Sequence, residues 1–245
     1  MKICKSIEEG VASVMDVYGY KTDKTWKYVP ATGDDLCDKL VIDGVEYPFF
    51  WWRTDVQIAL MTKMAPARKP CSMKLNRSCS KSEGLERLLY RELDIAERMM
   101  GSSIAKLMCF RNQNAMNMIA TMENERVAIF ELAAALNEKT EEQGRHTYWG
   151  QDGMASDKVV SQKVTSDSIY LFTEDEETPK TYNDIFIYMY GLSRTDATKA
   201  SAIIDVLLGK TDINEWKEKD EHIRRCIEAA VRSCETESRI TVSKE

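Results

Sequence analysis

Apolar residues in the second half of the chain recur at two spacings, one typical of helices and one typical of strands. From Ser80 to Met100 they recur every three or four residues, which predicts an amphipathic helix that Gly101 ends. Ser80 and Glu83 have the spacing of a capping box at its start. Further helices are predicted at about 5–15, 195–208 and 213–234. Runs rich in β-branched and aromatic residues predict strands at 104–110, 116–122, 127–136, 145–150, 158–164, 168–172 and 239–242.

Residues 1–80 show these patterns less clearly. Residues 40–47 predict a hairpin, because Asp43 and Gly44 tolerate the positive φ of a tight turn. The aromatic residues from Tyr47 to Trp52 that follow are either core or the wall of a ligand site. We therefore expect an N-terminal segment, 1–80, either separate or packed on the main domain, and an α+β domain, 81–245.

The order of the predicted elements indicates the fold class. A helix is followed by a block of strands, then by two helices and one last strand. Segregated blocks of this kind favour an α+β fold, in which an open, mostly antiparallel β-sheet carries helices packed on one face.

Charge limits the classes of partner. The chain has 34 Lys and Arg against 40 Asp and Glu, a net charge of −6, which argues against a general nucleic-acid binder. The basic stretch Arg53 to Arg91 is either a surface for an anionic partner or a solvated stretch balanced by the acidic remainder. No apolar run approaches membrane-spanning length, so no membrane partner is expected.

The seven cysteines contain no C-x-x-C motif. Reduced thiols in a reducing compartment fit this pattern, and the N-terminus lacks the features of a signal peptide. We therefore expect a cytoplasmic protein.

The motifs of common enzymes are missing from the sequence. Neither G-x-G-x-x-G nor a P-loop occurs, so no cofactor is predicted, and an autonomous NAD(P) site of the usual kind is not expected. With only two histidines, a His-rich metal site is excluded and no metal is predicted. His146 is the candidate general acid or base, with a structural hydrogen-bonding role as the alternative. His222 is interpreted as a surface or seam residue, and Cys226 as a small buried hydrophobic residue.

Residues 85–242 resemble the C-terminal domain of the Gfo/Idh/MocA-like oxidoreductase family. The segment Tyr148 to Asp157, which is either a strand connection or a ligand loop, contributes to the likeness. The matching features are the helix end Met99-Met100-Gly101, the hairpin 115–136, the strand at 145–153 with its continuation G-x-x-G-M-A-S-D, the helix segment EAAVRSCE at 228–235, and the strand 240–242.

The resemblance implies a sheet that packs against a Rossmann half and commonly forms an oligomer interface, with a sugar or cyclitol between the halves. Three departures weigh against activity. The Rossmann glycines are absent, and the family's Glu-Lys-Pro motif is matched only by Lys69-Pro70 after Arg68. The family's Asp and His, four residues apart on the helix, fall on Arg87 and Arg91, and a following Asp is matched by Asp94. An arginine stays protonated near neutral pH and cannot exchange a proton with a hydroxyl.

Two hypotheses follow. In the first, the chain is a non-catalytic scaffold or ligand-binding protein that forms a homo-oligomer through its sheet. It would bind a small polar or sugar-like ligand through Arg91, Lys74, Trp52 and Trp149. In the alternative, it is an oxidoreductase acting on a sugar or cyclitol, with an unusual NAD(P) site or one supplied by another subunit. The catalytic candidates would then be His146, Asp94 and Lys69.

Overall fold

The computed structural model describes residues 4–67, 70–140, 142–157, 168–173, 180–183 and 191–243. The helices in these residues are α1 (Ile7–Val17), α2 (Val56–Ala67), α3 (Leu85–Met100), α4 (Arg194–Leu207) and α5 (Glu215–Thr236), with a 3-10 turn at Trp51–Thr54. The strands are β1 (Trp26–Val29), β2 (Lys39–Ile42), β3 (Val45–Pro48), β4 (Pro70–Ser80), β5 (Ile104–Arg111), β6 (Ala115–Met122), β7 (Val127–Leu136), β8 (Gln143–Gly150), β9 (Gly153–Ser156), β10 (Ser168–Thr173), β11 (Lys180–Asn183) and β12 (Ile240–Thr241).

The first of two compact units contains the described residues of Met1–Ala59 and Asp184–Glu221. Its sheet has the antiparallel order β1-β2-β3. The hairpin predicted at 40–47 is confirmed: Asp43 (φ 49°) and Gly44 (φ 80°) form the turn, and Ile42 lies opposite Val45. Phe49 and Phe50 are buried and contact the ring of Trp216, at centroid distances of 6.1 and 5.9 Å. The aromatic cluster is therefore part of the core of this unit.

The second unit contains the described residues of Leu60–Asn183 and His222–Glu245. Nine strands among the described residues form one sheet in the order β11-β10-β9-β8-β4-β7-β6-β5-β12. The β4–β7 pair is parallel, and the other pairings among the described strands of this sheet are antiparallel. Helix α3 packs on β4, β6 and β7. The predicted α+β fold with an open, mostly antiparallel sheet is confirmed.

Alternation along the strands gives this sheet two different faces. Met118 of β6 and Phe130 of β7 are buried, whereas their neighbours Ile119 and Ile129 are exposed. Pairing brings Ile119 opposite Ile129 and Ile129 opposite Lys74, so these side chains share the second face. We call this second surface the open face; its exposed apolar residues are Phe110, Ile119, Ile129 and Trp149.

One predicted helix begins later in the structure than in the sequence analysis. The helix predicted from Ser80 begins at Leu85, because β4 extends to Ser80 and Gly84 (φ 85°) makes the turn into the helix. The Ser80 hydroxyl does accept the Glu83 N–H, at 3.3 Å, within that turn. The division into residues 1–80 and 81–245 stays a prediction; α3 packs on β4, which ends at Ser80.

The hairpin of strands predicted at 116–122 and 127–136 is confirmed as β6 and β7. The strand predicted at 158–164 lies outside the described residues. Among the helices that the structure describes, none is both long enough and apolar enough to cross a membrane.

Candidate functional site

Six ionisable side chains converge on the helix-covered side of the second unit. Helix α3 contributes two of them, strands β4 and β8 one each, and the chain before β8 and after β9 one each. We call this group the ionic cluster; its members are Arg77, Arg91, Glu92, Glu142, His146 and Asp157.

His146 lies at the centre of the ionic cluster and has no exposed surface. Its Nε2 is 2.6 Å from Oε2 of Glu92, and its Nδ1 is 2.7 Å from Oδ2 of Asp157. Its backbone N–H also donates to Oδ1 of Asp157, at 2.7 Å. Both carboxylates accept hydrogen bonds when ionised, so a ring that donates from both nitrogens is an imidazolium.

The pKa values of these groups agree with that protonation state. Burial and the Arg77 guanidinium lower the pKa of His146, but the carboxylates of Glu92 and Asp157 outweigh them and raise it to about 9. Burial opposes ionisation of Glu92, but His146, Arg91 and Arg77 together lower its pKa to about 2. The pKa of Asp157 is lowered against the effect of burial for the same reason, with His146 as the main cause. At neutral pH all three groups are therefore charged.

The two arginines surround this centre. Arg91 donates from Nη2 to Glu142 at 2.6 Å and from Nε to Glu92 at 3.2 Å, and its Nη1 lies 3.6 Å from Glu83. Arg77 lies 3.4 Å from Asp157 and 3.5 Å from Glu142. Three cations thus face three carboxylates within the ionic cluster, so the cluster is close to neutral, as buried charges require.

Gly144 of β8 leaves room for the Arg77 side chain. Gly144 pairs with Arg77 of β4. A Cβ atom at Gly144 would meet the Asn76 carbonyl oxygen and lie 2.6 Å from Cδ and 2.8 Å from Cα of Arg77. Glycine at this position therefore lets the guanidinium reach Asp157 across the strand pair.

The chemistry open to the ionic cluster is restricted by its own hydrogen bonds. A general base needs a lone pair that points at substrate, and the imidazolium of His146 offers none. To act as an acid, His146 would have to give up a bond to Glu92 or Asp157 inside the core, where an unpaired charge costs several kcal/mol. The hydrogen bonds of the ionic cluster are suited to a structural role, in which they join α3 to strands β4 and β8.

The structure separates the residues predicted from the sequence. Arg91 and His146 come together through Glu92. Lys74 is on the open face, 2.8 Å from Glu131, and Trp149 is exposed on the same face. Their grouping with Arg91 into one ligand site stays a prediction, which this separation does not favour.

The other predicted residues lie elsewhere. Asp94 is fully buried in α3. Trp52 belongs to the core of the first unit, with its ring 5.2 Å from that of Phe50. Lys69 lies outside the described residues. The first unit also has an open groove of about 440 Å³, lined mainly by apolar side chains, and none of the predicted residues lines it.

Sequence reasoning did not identify the partners of His146. Glu92 is 54 residues from His146 and nothing in the helical pattern marks it as a partner. Asp157 ends the segment 148–157, which the structure shows to be a β8–β9 hairpin followed by the carboxylate that His146 binds.

No protein-family model matches the chain, and no curated protein matches it. Solved structures do resemble it. A putative myo-inositol dehydrogenase from Sinorhizobium meliloti is 15% identical over 79% of this chain and 64% of its own, with a TM-score of 0.56. Levoglucosan dehydrogenase in complex with NADH is 11% identical over 80% of this chain and 65% of its own, with a TM-score of 0.64. A putative oxidoreductase from Thermotoga maritima is 11% identical over 80% of this chain and 63% of its own, with a TM-score of 0.59.

These similarities concern the fold. The chain spans somewhat less than two thirds of the length of each of these three structures, while the matches cover about four fifths of the chain itself. The predicted resemblance is confirmed at the level of the fold: the chain shares the fold of Gfo/Idh/MocA-type oxidoreductases over most of its length.

Proposed function

We propose that this protein is a non-catalytic relative of these dehydrogenases, a scaffold that self-associates through the open face and binds a small polar or sugar-like ligand. The observation that supports this most is the double carboxylate pairing of His146, the candidate acid–base residue. Arg91, at the position where the resemblance places a histidine, is likewise paired with carboxylates. Neither side chain has a proton available for transfer to a substrate.

The open face supports self-association. Ile119 and Ile129 are directly paired and exposed, at 47% and 37%, and Phe110 extends the apolar area toward β5. Beside them lies the ion pair between Lys74 and Glu131. This face carries an apolar centre flanked by one positive and one negative side chain. Such a face is suited to a two-fold symmetric interface, in which the same patch of two subunits is in contact.

One observation favours the alternative, in which the chain is part of an oxidoreductase. Its structural neighbours include levoglucosan dehydrogenase in complex with NADH and levoglucosan. Since this sequence has no phosphate-binding glycine motif, NAD(P) would have to be bound in an unusual manner or by another subunit.

In either case we place the protein in the cytoplasm, since all seven cysteines are free thiols.

Nucleotide binding separates the two functions. We expect the fluorescence of NADH and of NADPH to stay unchanged when the purified full chain is added, because the sequence has no glycine motif of the kind that cradles a pyrophosphate. Levoglucosan dehydrogenase serves as the positive control. Saturable binding of either nucleotide by the chain alone would contradict the proposal and favour the oxidoreductase.

Substitution on the open face tests the interface. We expect the wild-type chain to form a dimer or larger assembly at micromolar concentration. Ile119→Lys should raise the dissociation constant of this assembly at least about 100-fold, because the lysine would be buried in the interface without a partner. Analytical ultracentrifugation measures this. Val231→Lys is the matched control, since Val231 is an apolar residue 40% exposed on α5 rather than on the sheet. A monomeric wild-type chain would rule out the interface.

A charge deletion tests whether the ionic cluster is structural. Glu92→Gln should lower the free energy of unfolding by about 3–5 kcal/mol, because it leaves His146 and Arg91 without their shared carboxylate in the core. The control Glu131→Gln should cost less than about 1 kcal/mol, because the Lys74–Glu131 pair is more than one third exposed. Urea unfolding measures both losses. Equal losses would show that the cluster contributes no more than a surface pair.

The pH dependence of stability follows from the same cluster. The pKa of His146 is about 9 in the folded chain against 6.5 as its ordinary value, so its stabilisation is complete below pH 6.5 and lost as the pH rises toward 9. The stabilisation that ionised Glu92 contributes is present above pH 4.5 and is lost as the pH falls toward its folded-state pKa of about 2. Stability should therefore be greatest between these limits.

Urea unfolding at pH 6.5 and 9 measures the alkaline loss, which should be on the order of 3 kcal/mol. His146→Gln should remove most of it, whereas the control His222→Gln should retain it. A wild-type chain equally stable at both pH values would contradict the assignment of an imidazolium to His146.

A further inference from the structure

A second group of side chains, separate from the ionic cluster, brings a carboxylate, an imidazole and a thiol together. Glu97 lies near the end of α3, and His222 and Cys226 lie one turn apart on α5. One ligand atom from each of the three lies within 4.8 Å of the others. Glu97 and Cys226 are buried, and the His222 side chain is 18% exposed, so the group is closed on the core side and open at His222.

We propose that Glu97, His222 and Cys226 form a zinc-binding site that joins α5 to α3. The donor set of one oxygen, one nitrogen and one sulfur atom is of the kind that zinc takes in proteins. A carboxylate and a thiolate together carry two negative charges, which Zn²⁺ neutralises, so the loaded site satisfies the requirement that buried charges be balanced.

The sulfur–nitrogen distance fits a tetrahedral ion, and the oxygen–nitrogen distance has to lengthen on binding. Cys226 Sγ lies 3.6 Å from His222 Nε2. Zinc bonds of the usual lengths give a sulfur–nitrogen edge of about 3.5 Å in a tetrahedron. Glu97 Oε1 lies 2.7 Å from the same nitrogen, joined to it by a hydrogen bond. Zinc would replace the proton between them, which lengthens this edge to about 3.3 Å.

The geometry differs from that of a nucleophilic triad. In a Cys-His-carboxylate triad the thiol and the carboxylate use opposite nitrogens of the imidazole ring. Here the sulfur and the carboxylate oxygen both approach Nε2. Three donors that converge on one point are arranged for a single ion.

Further contacts hold the ligands in place. The backbone N–H of Ile104 donates to Oε1 of Glu97, at 2.6 Å, and fixes the carboxylate from the outside, as outer partners of metal ligands do. His222 and Cys226 are four residues apart on one helix, so they face the same side. With three ligands from the protein, the fourth position is left for water at the exposed side of His222.

Cobalt substitution tests the site directly. The full chain, stripped with a chelator and kept reduced, is titrated with Co²⁺ and followed by its absorption spectrum. We expect one equivalent to bind with a thiolate-to-cobalt charge-transfer band, and one equivalent of Zn²⁺ to displace it. Zinc should also raise the midpoint of thermal unfolding, because it binds only the folded site.

Variants identify the ligands. Cys226→Ser should remove the charge-transfer band, and both Cys226→Ser and His222→Gln should weaken zinc binding at least about 100-fold. The matched control is Cys71→Ser, because Cys71 is an exposed thiol outside the site and its loss should leave the band unchanged. Circular dichroism checks that each variant is folded. If Cys226→Ser is unfolded, the zinc affinity of His222→Gln tests the site instead.

A wild-type chain that takes up no cobalt or zinc would overturn the proposal. A band that survives both ligand substitutions, or that disappears in Cys71→Ser, would also overturn it. None of these outcomes depends on whether the chain is catalytic, so the zinc site and the proposed function are tested independently of each other.

Discussion

The hydrogen-bonded imidazolium of His146 is the constraint on which the second unit depends. It lies fully buried between a carboxylate of α3 and a carboxylate that follows β9. Removing ionised groups from water costs several kcal/mol each unless every charge is paired with good geometry. The positions of the helix, of β8 and of the chain after β9 are therefore mutually dependent, because displacing any one of them leaves a buried charge without its partner.

The same constraint bears on the acid–base role that the sequence suggested for His146. An active-site histidine needs one nitrogen directed at substrate, and here both nitrogens are used within the protein. The ionic cluster lies on the helix side of the sheet, whereas the open face carries Ile119, Ile129 and Phe110 beside the Lys74–Glu131 pair. Exposed apolar area of this kind marks interaction surfaces, which supports the proposed self-association.

Local patterns predicted the elements whose residues alternate cleanly. The hairpin of β6 and β7 was predictable because buried and exposed side chains alternate from Met116 to Met122. Strand β4 was missed because Arg77 interrupts the apolar alternation of Met73, Leu75 and Cys79. That arginine belongs there only because of its carboxylate partners, which come from distant parts of the chain. Pairings of this kind leave no periodic signal in one sequence.

Arg91 shows how a single fixed charge shapes its surroundings. Where the resemblance places a residue that can lose a proton, arginine stays protonated at every physiological pH. Such a charge, nearly buried, has to be matched by carboxylates, and Glu92, Glu142 and Glu83 approach it. Glu92 in turn holds His146. Arg91→His alone would therefore take a cation away from Glu142 and Glu83 without changing the contacts of Glu92 and Asp157 with His146, because those contacts do not involve position 91.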